Sequence, residues 1–186
     1  MVGLGNMGSR MARRLLDAGH TVLGYDLQPR AIDGLGSVED IGTLAHESDT
    51  MVLSLPDGEV VADVCARIAA TVDRRVTTVV DTSTIGPEAA RLTFEALATA
   101  WIQYVDAPVS GGIRGAELGT LSMMVAADEA TFARLEPVLA PIAQHRFRCG
   151  EAAGQGQAMK LLNNFLRSEE HTSELQSHSF ISYAVF

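Results

Sequence analysis

This chain has almost no lysine, no cluster of basic residues and no long hydrophobic segment. Lys160 is its only lysine, and its net charge is −9 at pH 7. A negative chain without a basic patch argues against nucleic acid or an anionic membrane as a partner. No apolar run is long enough to span a bilayer, and no signal peptide precedes the first motif. We therefore expect a cytoplasmic protein that binds anionic ligands through local groups.

Cysteine is also scarce, which bears on disulfides and metals. Cys65 and Cys149 are isolated in the sequence, and neither they nor the histidines show the spacing of a metal site. We expect idle thiols in a reducing compartment and no bound metal. The 186 residues, of which 47% are hydrophobic and 20% charged, suffice for a full-sized domain with its own core.

Short apolar stretches alternate with segments of helical periodicity. The predicted strands cover residues 21–25, 50–55, 76–80, 102–105, 121–125 and 144–148, and the predicted helices cover residues 7–18, 59–70, 87–98 and 129–139. This alternation predicts an α/β fold of Rossmann type, with a doubly wound and mostly parallel sheet. We expect a dinucleotide-binding domain at residues 1–152 and the start of an interdomain helix at 153–166.

A glycine-rich turn stands at the beginning of the chain. It consists of Gly3, Leu4, Gly5, Asn6, Met7 and Gly8. The three glycines would permit a tight turn, close approach of a pyrophosphate and close packing of the following helix. Asp26, about twenty residues on, is placed to accept hydrogen bonds from an adenosine ribose, which favours NAD over NADP. Arg30 keeps NADP open as an alternative, and a glycine turn without any ligand is the other reading of this motif.

Two later segments indicate a substrate site. Ser110, Gly111 and Gly112 follow a predicted strand, where two bare amides and a hydroxyl would suit a carboxylate. Lys160 lies early in an apolar helix, and partial burial would lower its pKa towards the range of a usable acid or base. Asn164 lies one turn later on the same face. The alternatives are an ordinary loop and a solvated surface lysine.

In their order and their residues, the segments 3–8, 106–112 and 154–164 resemble those of the β-hydroxyacid dehydrogenase family, which includes 3-hydroxyisobutyrate dehydrogenase and tartronate semialdehyde reductase. The resemblance runs to about residue 165. It implies hydride transfer between NAD or NADP and a small β-hydroxy acid or its semialdehyde, with Lys160 as the proton carrier and Asn164 orienting the hydroxyl. It also implies that Leu55, Pro56 and Thr84 contact the cofactor. A non-catalytic dinucleotide-binding module is the alternative function.

Both ends of the chain depart from that family. Only Met1 and Val2 precede the glycine turn, so we expect a truncated first strand. The resemblance implies an all-helical C-terminal domain that forms a homo-oligomer. We expect it to be missing, so that this fragment has impaired turnover. Residues 167–186 resemble the translation of a common DNA-sequencing adapter, which predicts a non-native tail. A divergent natural tail is the alternative.

Overall fold

The computed structural model describes residues 1–28 and 30–168. Its helices are α1 (Gly8–Asp17), α2 (Ile41–Glu47), α3 (Gly58–Ala70), α4 (Pro87–Ala98), α5 (Gly112–Leu118), α6 (Glu129–Ile142) and α7 over residues 155–168. Its strands are β1 (Leu23–Gly24), β2 (Gly36–Ser37), β3 (Thr50–Leu53), β4 (Thr78–Asp81), β5 (Gln103–Asp106), β6 (Val109–Ser110), β7 (Ser122–Ala126) and β8 (His145–Gly150). Within this part of the chain, no helix is both long and apolar enough to cross a membrane.

The first residues of the chain join two groups of parallel strands. β1 pairs with β2, and β3, β4 and β5 pair in succession. Val2 lies between the two groups and forms parallel bridges with Tyr25 and Leu53. The resulting order, β2-β1-Val2-β3-β4-β5, is that of a doubly wound dinucleotide fold. The predicted Rossmann-type sheet is therefore confirmed, and its switch point lies directly before the glycine turn.

The far edge of the sheet contains antiparallel pairs. β7 runs antiparallel to β5, through Asp106 and Ala126, and antiparallel to β6. β8 then pairs with β7 in parallel. The segments 121–125 and 144–148 thus extend the sheet as predicted.

Two hydrophobic cores lie on the two faces of the sheet. One contains Met11 and Leu15 of α1 with Leu135 and Leu139 of α6. The other contains residues of α2, α3 and α4 with the buried side chains of β3 and β4. Helices on both faces explain why the central strands read as continuous apolar runs.

Four short elements were not predicted from the sequence. β2 and β6 have two residues each, which is too short for a recognisable alternation, and α2 and α5 have seven residues each with glycines inside them. The predicted strand at 21–25 forms ladder pairs only at Leu23–Gly24, with a bridge at Tyr25. The domain boundaries remain a prediction, and most of the predicted tail, residues 169–186, lies outside the described residues.

Candidate active site

The three glycines of the turn face different surroundings. Gly3 has a φ of +83°, and a Cβ atom there would overlap with the carbonyl oxygen of Ser54. A Cβ on Gly8 would overlap with the carbonyl oxygen of Gly3, so α1 can approach the turn only with glycine at this position. A Cβ on Gly5 would meet no atom within 4 Å. Gly3 and Gly8 are thus required by the fold, whereas Gly5 borders open space.

The N-terminus of α1 points towards that open space. Its N-cap residue, Met7, makes no side-chain cap hydrogen bond, and the first turn contains no acidic residue. Backbone amides at an uncapped helix start attract anions, because the helix dipole adds partial positive charge. The turn and the helix start therefore form a concave site that fits a pyrophosphate.

Asp26 lies beside the turn, just beyond the residue that pairs with Val2. One carboxylate oxygen accepts a hydrogen bond from the amide of Leu4 at 2.6 Å, and the other accepts from the amide of Gln28 at 2.8 Å. Each oxygen keeps further acceptor capacity for a ligand. Asp26 also borders an adjoining cleft together with Leu4 and Arg30.

A cleft of about 470 Å³ runs along the turn. Of the predicted cofactor residues, its walls include Gly3, Gly5, Asn6, Met7, Asp26, Leu55 and Pro56. Near Asp26, the guanidinium of Arg67 lies 5.9 Å from the centre of the Tyr25 ring. The structure thus brings most of the predicted cofactor residues together around one opening.

Three predicted cofactor residues do not line this cleft: Leu4 is buried and borders the adjoining cleft, Gly8 is buried at the start of α1, and Thr84 lies apart. The side chain of Thr84 is exposed and lines neither this cleft nor the one described next. The neighbouring Ser83 is buried, and its hydroxyl oxygen accepts a hydrogen bond from the amide of Leu55 at 2.9 Å. Ser83 therefore points into the protein, whereas the side chain of Thr84 is exposed.

A second cleft, of about 420 Å³, opens on the other side of Met7. It is lined by Met7, Val109, Ser110, Gly111, Gly112, Lys160, Asn164, Arg167 and Ser168. All the predicted substrate residues and the predicted catalytic lysine therefore share one cleft. Because Met7 borders both clefts, a ligand along the glycine turn would lie next to a ligand at Lys160.

Lys160 is buried, with 8% of its surface exposed. Burial lowers the pKa of its ammonium, and the nearby charge of Arg167 lowers it further. Among residues 1–28 and 30–168, no ion pair with a carboxylate offsets this effect. Both effects favour the neutral amine, which is the form of a lysine that can accept a proton.

Two adjacent asparagines on α7 have different surroundings. The side-chain amide of Asn163 donates a hydrogen bond to the hydroxyl oxygen of Ser110 at 3.1 Å. Asn164 is exposed at the wall of the cleft that holds Lys160. Asn164 was predicted from the sequence and Asn163 was not, although the pair of adjacent asparagines was a visible signal.

Gln157 is a further residue that the sequence analysis missed. It is completely buried, and its side chain connects α7 to the loop after β4 and to β5. Asp106, at the end of β5, accepts hydrogen bonds from the amides of Gly154 and Gln157 at 3.0 and 3.1 Å. Asp106 therefore caps the start of α7.

Two buried carboxyl groups lie on neighbouring strands where α7 meets the sheet. Asp81 and Asp106 are register partners on β4 and β5. Burial raises the pKa of both side chains, while hydrogen bonds from Ser83 and Tyr104 to Asp81, and from Gln157 and Gly154 to Asp106, oppose the rise. No group of three or more metal-binding side chains occurs in the described part of the chain.

Known proteins with similar sequences and structures were identified by comparison. Residues 1–152 match the model of the NAD binding domain of 6-phosphogluconate dehydrogenase. A 3-hydroxyisobutyrate dehydrogenase of Pseudomonas aeruginosa is 41% identical over 179 residues, covering 89% of this chain and 57% of the relative. A probable 3-hydroxyisobutyrate dehydrogenase of Mycobacterium tuberculosis is 39% identical over 170 residues, with coverage of 89% and 57%.

Solved structures agree with these sequence matches. The structure of Mycobacterium tuberculosis 3-hydroxyisobutyrate dehydrogenase with L-serine superposes with a TM-score of 0.83 at 39% identity, covering 89% of this chain and 58% of that one. The chain thus spans about 57% of the length of the curated relatives that it matches.

Proposed function

Because the chain belongs to the family defined by the NAD binding domain of 6-phosphogluconate dehydrogenase, we propose that it provides the cofactor domain and the proton-transferring lysine of an NAD-dependent β-hydroxyacid dehydrogenase. The proposed substrate is a small β-hydroxy acid, such as 3-hydroxyisobutyrate, or its semialdehyde. The observation that carries this proposal is that Met7 borders both the cleft of the glycine turn and the cleft of Lys160.

The cofactor would lie along the glycine turn. The open space at Gly5 and the uncapped start of α1 fit a pyrophosphate, and Asp26 would accept hydrogen bonds from the ribose hydroxyls. When bound, the nicotinamide ring accepts or donates the hydride. A carboxylate at Asp26 repels a 2′-phosphate, which supports NAD as the cofactor, and Arg30 is the residue that would support NADP.

The substrate would lie in the cleft between α7 and the segment 110–112. The amides of Gly111 and Gly112 and the hydroxyl of Ser110 would hold its carboxylate, because a Cβ at Gly112 would meet no atom within 4 Å and this backbone is accessible. The hydrogen bond from Asn163 fixes the hydroxyl of Ser110 in this arrangement.

Lys160 would exchange the proton of the substrate. In oxidation, the neutral amine of Lys160 would take the hydroxyl proton of the substrate, bound NAD would serve as the hydride acceptor, and a carbonyl would remain. Reduction reverses each transfer. The lowered pKa of Lys160 favours the neutral amine that accepts this proton, and Asn164 would orient the hydroxyl.

The remaining properties of the enzyme are part of the proposal. We place the protein in the cytoplasm, because Cys65 and Cys149 are both free thiols. A homo-oligomer formed through a helical domain remains the expectation from the family resemblance.

Binding and turnover measurements test this function separately. Titration of the purified chain with NADH, followed by nicotinamide fluorescence, should show saturable binding. The same titration with NADPH should give a lower affinity. Incubation with NAD and a panel of small β-hydroxy acids, followed by NADH formation, would identify the substrate. A folded chain that fails to bind NADH would refute the dehydrogenase proposal. Binding without turnover is the result expected of this fragment, so turnover is compared in a longer chain that includes the expected helical domain. Binding without turnover of any hydroxy acid by that longer chain would favour the non-catalytic module.

A further inference from the structure

The side chain of Gln157 uses its full hydrogen-bonding capacity inside the protein. Its carbonyl oxygen accepts from the amides of Ile85 and Gly86 at 3.0 and 3.2 Å. Its amide nitrogen donates to the carbonyl oxygen of Ser83 at 3.0 Å and to Asp106 at 2.8 Å. A primary amide has two donor hydrogens and an oxygen that accepts two bonds, so all four sites are satisfied. Such a network holds a side chain in one orientation.

The first turn of α7 is the part of this helix that packs closely on the sheet. A Cβ atom on Gly156 would lie 2.5 Å from the carbonyl oxygen of Met124 and 3.0 Å from that of Asp106, so the helix backbone touches the middle of β7 and the end of β5. Further along α7, large apolar side chains are half exposed: Leu161, Leu162, Phe165 and Leu166. The position of α7 is therefore set mainly at its start, with a second attachment between Asn163 and Ser110.

The same contacts connect α7 to the cofactor cleft. Leu55 lines that cleft, and its amide donates a hydrogen bond to the hydroxyl of Ser83. The carbonyl oxygen of Ser83 in turn accepts a hydrogen bond from Gln157. Lys160 follows Gln157 by three residues, which places both side chains on the same side of the helix. A short series of contacts thus runs from the wall of the cofactor cleft to the helix turn that carries the lysine.

From this geometry we propose that Gln157 is a positioning residue, which fixes the place of Lys160 relative to the cofactor cleft through its bonds to the loop 83–86 and to Asp106. Gln157 would touch neither the cofactor nor the substrate, and it acts by holding α7 in place. The proposal rests on the function proposed above, because Lys160 needs a fixed distance from the cofactor only if it takes part in the reaction. A displacement of about 1 Å in such a group can lower a rate on the order of 100-fold.

The single lysine permits a test that requires no turnover. We would measure the rate at which a small amine-directed acylating reagent modifies Lys160 as a function of pH, with peptide mapping to separate it from the terminal amine. The variants are Gln157→Met, which keeps the volume but removes all four hydrogen bonds, and Gln157→Glu, which keeps the shape and the acceptor oxygen. The control is Gln155→Met, because Gln155 is exposed and, within the described part of the chain, its side-chain oxygen accepts only from the nearby amide of Ala152.

We expect the midpoint of the labelling profile to move upwards, towards that of an ordinary lysine, in Gln157→Met. In Gln157→Glu the shift should appear only when the new carboxyl is ionised, since the neutral acid can still donate to Ser83 or Asp106. Gln155→Met should behave as the wild type. In turnover assays, Gln157→Met should lower kcat on the order of 10- to 100-fold and leave the KM for NAD within about twofold.

Folding is checked on the same samples by circular dichroism and NADH binding. An unchanged labelling midpoint in a folded Gln157→Met variant would overturn the positioning role. If both Gln157 variants fail to fold while Gln155→Met folds, the role of Gln157 is purely structural and the proposal is also overturned. A wild-type chain that binds no NADH would refute the proposed function, yet the labelling comparison would still decide whether Gln157 places Lys160.

Discussion

The carboxylate of Asp26 and the backbone amide of Leu4 are joined by a hydrogen bond of 2.6 Å at the glycine turn. This contact means that Asp26 has two roles in the proposed cofactor site. It holds the turn in place, and it presents negative charge where an adenosine ribose would lie. A substitution that separates the two roles is therefore more informative than simple truncation.

Asp26→Asn should change the cofactor preference while preserving the turn. The asparagine oxygen can still accept the hydrogen bond from Leu4, but the charge that repels a 2′-phosphate is gone. We expect NADH affinity to fall by about 1.5–3 kcal/mol, the value of a hydrogen bond to a charged group, and NADPH affinity to rise. Fluorescence titration with both cofactors measures this, with Asp33→Asn in a nearby exposed segment as the control. Equal affinity of the wild type for NADH and NADPH would contradict the assignment of Asp26.

Gly5→Ala should impair cofactor binding, whereas Gly8→Ala should impair stability. A methyl group on Gly8 would overlap with the carbonyl of Gly3, so we expect that variant to lose about 1–3 kcal/mol of stability from overpacking. A methyl group on Gly5 enters open space, so that variant should unfold at the wild-type temperature but bind NADH weakly. Thermal unfolding and NADH titration of both variants separate the effects. Normal NADH binding by Gly5→Ala would place the pyrophosphate elsewhere.

Lys160 should be essential for the chemical step and dispensable for binding of the cofactor. In the active enzyme, Lys160→Ala should lower kcat about 10²–10⁴-fold, the usual contribution of a general acid or base, with NADH affinity nearly unchanged. Lys160→Arg should be almost as harmful, because a guanidinium keeps its proton near neutral pH. Steady-state kinetics and cofactor titration check both variants. A Lys160→Arg enzyme with near-native kcat would exclude Lys160 as the proton carrier.

Lys160 should also reduce the stability of the fold at neutral pH. Its pKa is lowered in the folded protein and ordinary in the unfolded chain, so the unfolded state binds more protons between these two values. The cost of burying the ammonium is present below the folded pKa and disappears as the pH rises towards the unfolded pKa. Lys160→Met should therefore be more stable than the wild type at pH 7, by an amount that shrinks towards pH 10. Denaturant unfolding at several pH values measures this, and a constant difference would argue against the lowered pKa.

Asn163 and Asn164 should affect different kinetic constants. Asn163 holds the hydroxyl of Ser110, so Asn163→Ala should raise the KM for the hydroxy acid several-fold with a smaller change in kcat. Asn164 lies in the cleft with Lys160, and Asn164→Ala should mainly lower kcat. Each variant serves as the control for the other, because they are neighbours on one helix. Identical effects of the two substitutions would show that the hydrogen bond to Ser110 has no separate role.

Much of the fold was predictable because its signals are local. The glycine spacing predicted the turn at Gly3, and the apolar segments predicted β3, β4 and β5, since both faces of these strands are covered by helices. The family match confirms the Rossmann-type domain and its NAD(P) cofactor. The roles assigned to Lys160, Ser110 and Asn164 remain predictions, although the structure places all three residues in one cleft.

The parts that could not be predicted depend on contacts distant in the sequence. The bonds of Gln157 join residues more than fifty positions apart, which no local pattern reveals. The choice between Asn163 and Asn164 depends on the rotation of α7, where one residue corresponds to about 100°. Ser83 rather than Thr84 points inwards because its hydroxyl accepts a hydrogen bond from the amide of Leu55, 28 positions earlier in the chain.

The position of Val2 has a consequence for local opening of the fold. β1 and β2 are joined to the rest of the sheet through the short segment at Val2. There the amide of Gly3 donates to the carbonyl oxygen of Tyr25, and the amide of Tyr25 donates to the carbonyl oxygen of Met1. Amide hydrogens in such a weakly attached unit should exchange with solvent faster than those of β3–β5, because the unit can open without global unfolding. A dinucleotide bound across Val2 would join the two units, and hydrogen exchange of Tyr25 and Gly36 would slow on its addition.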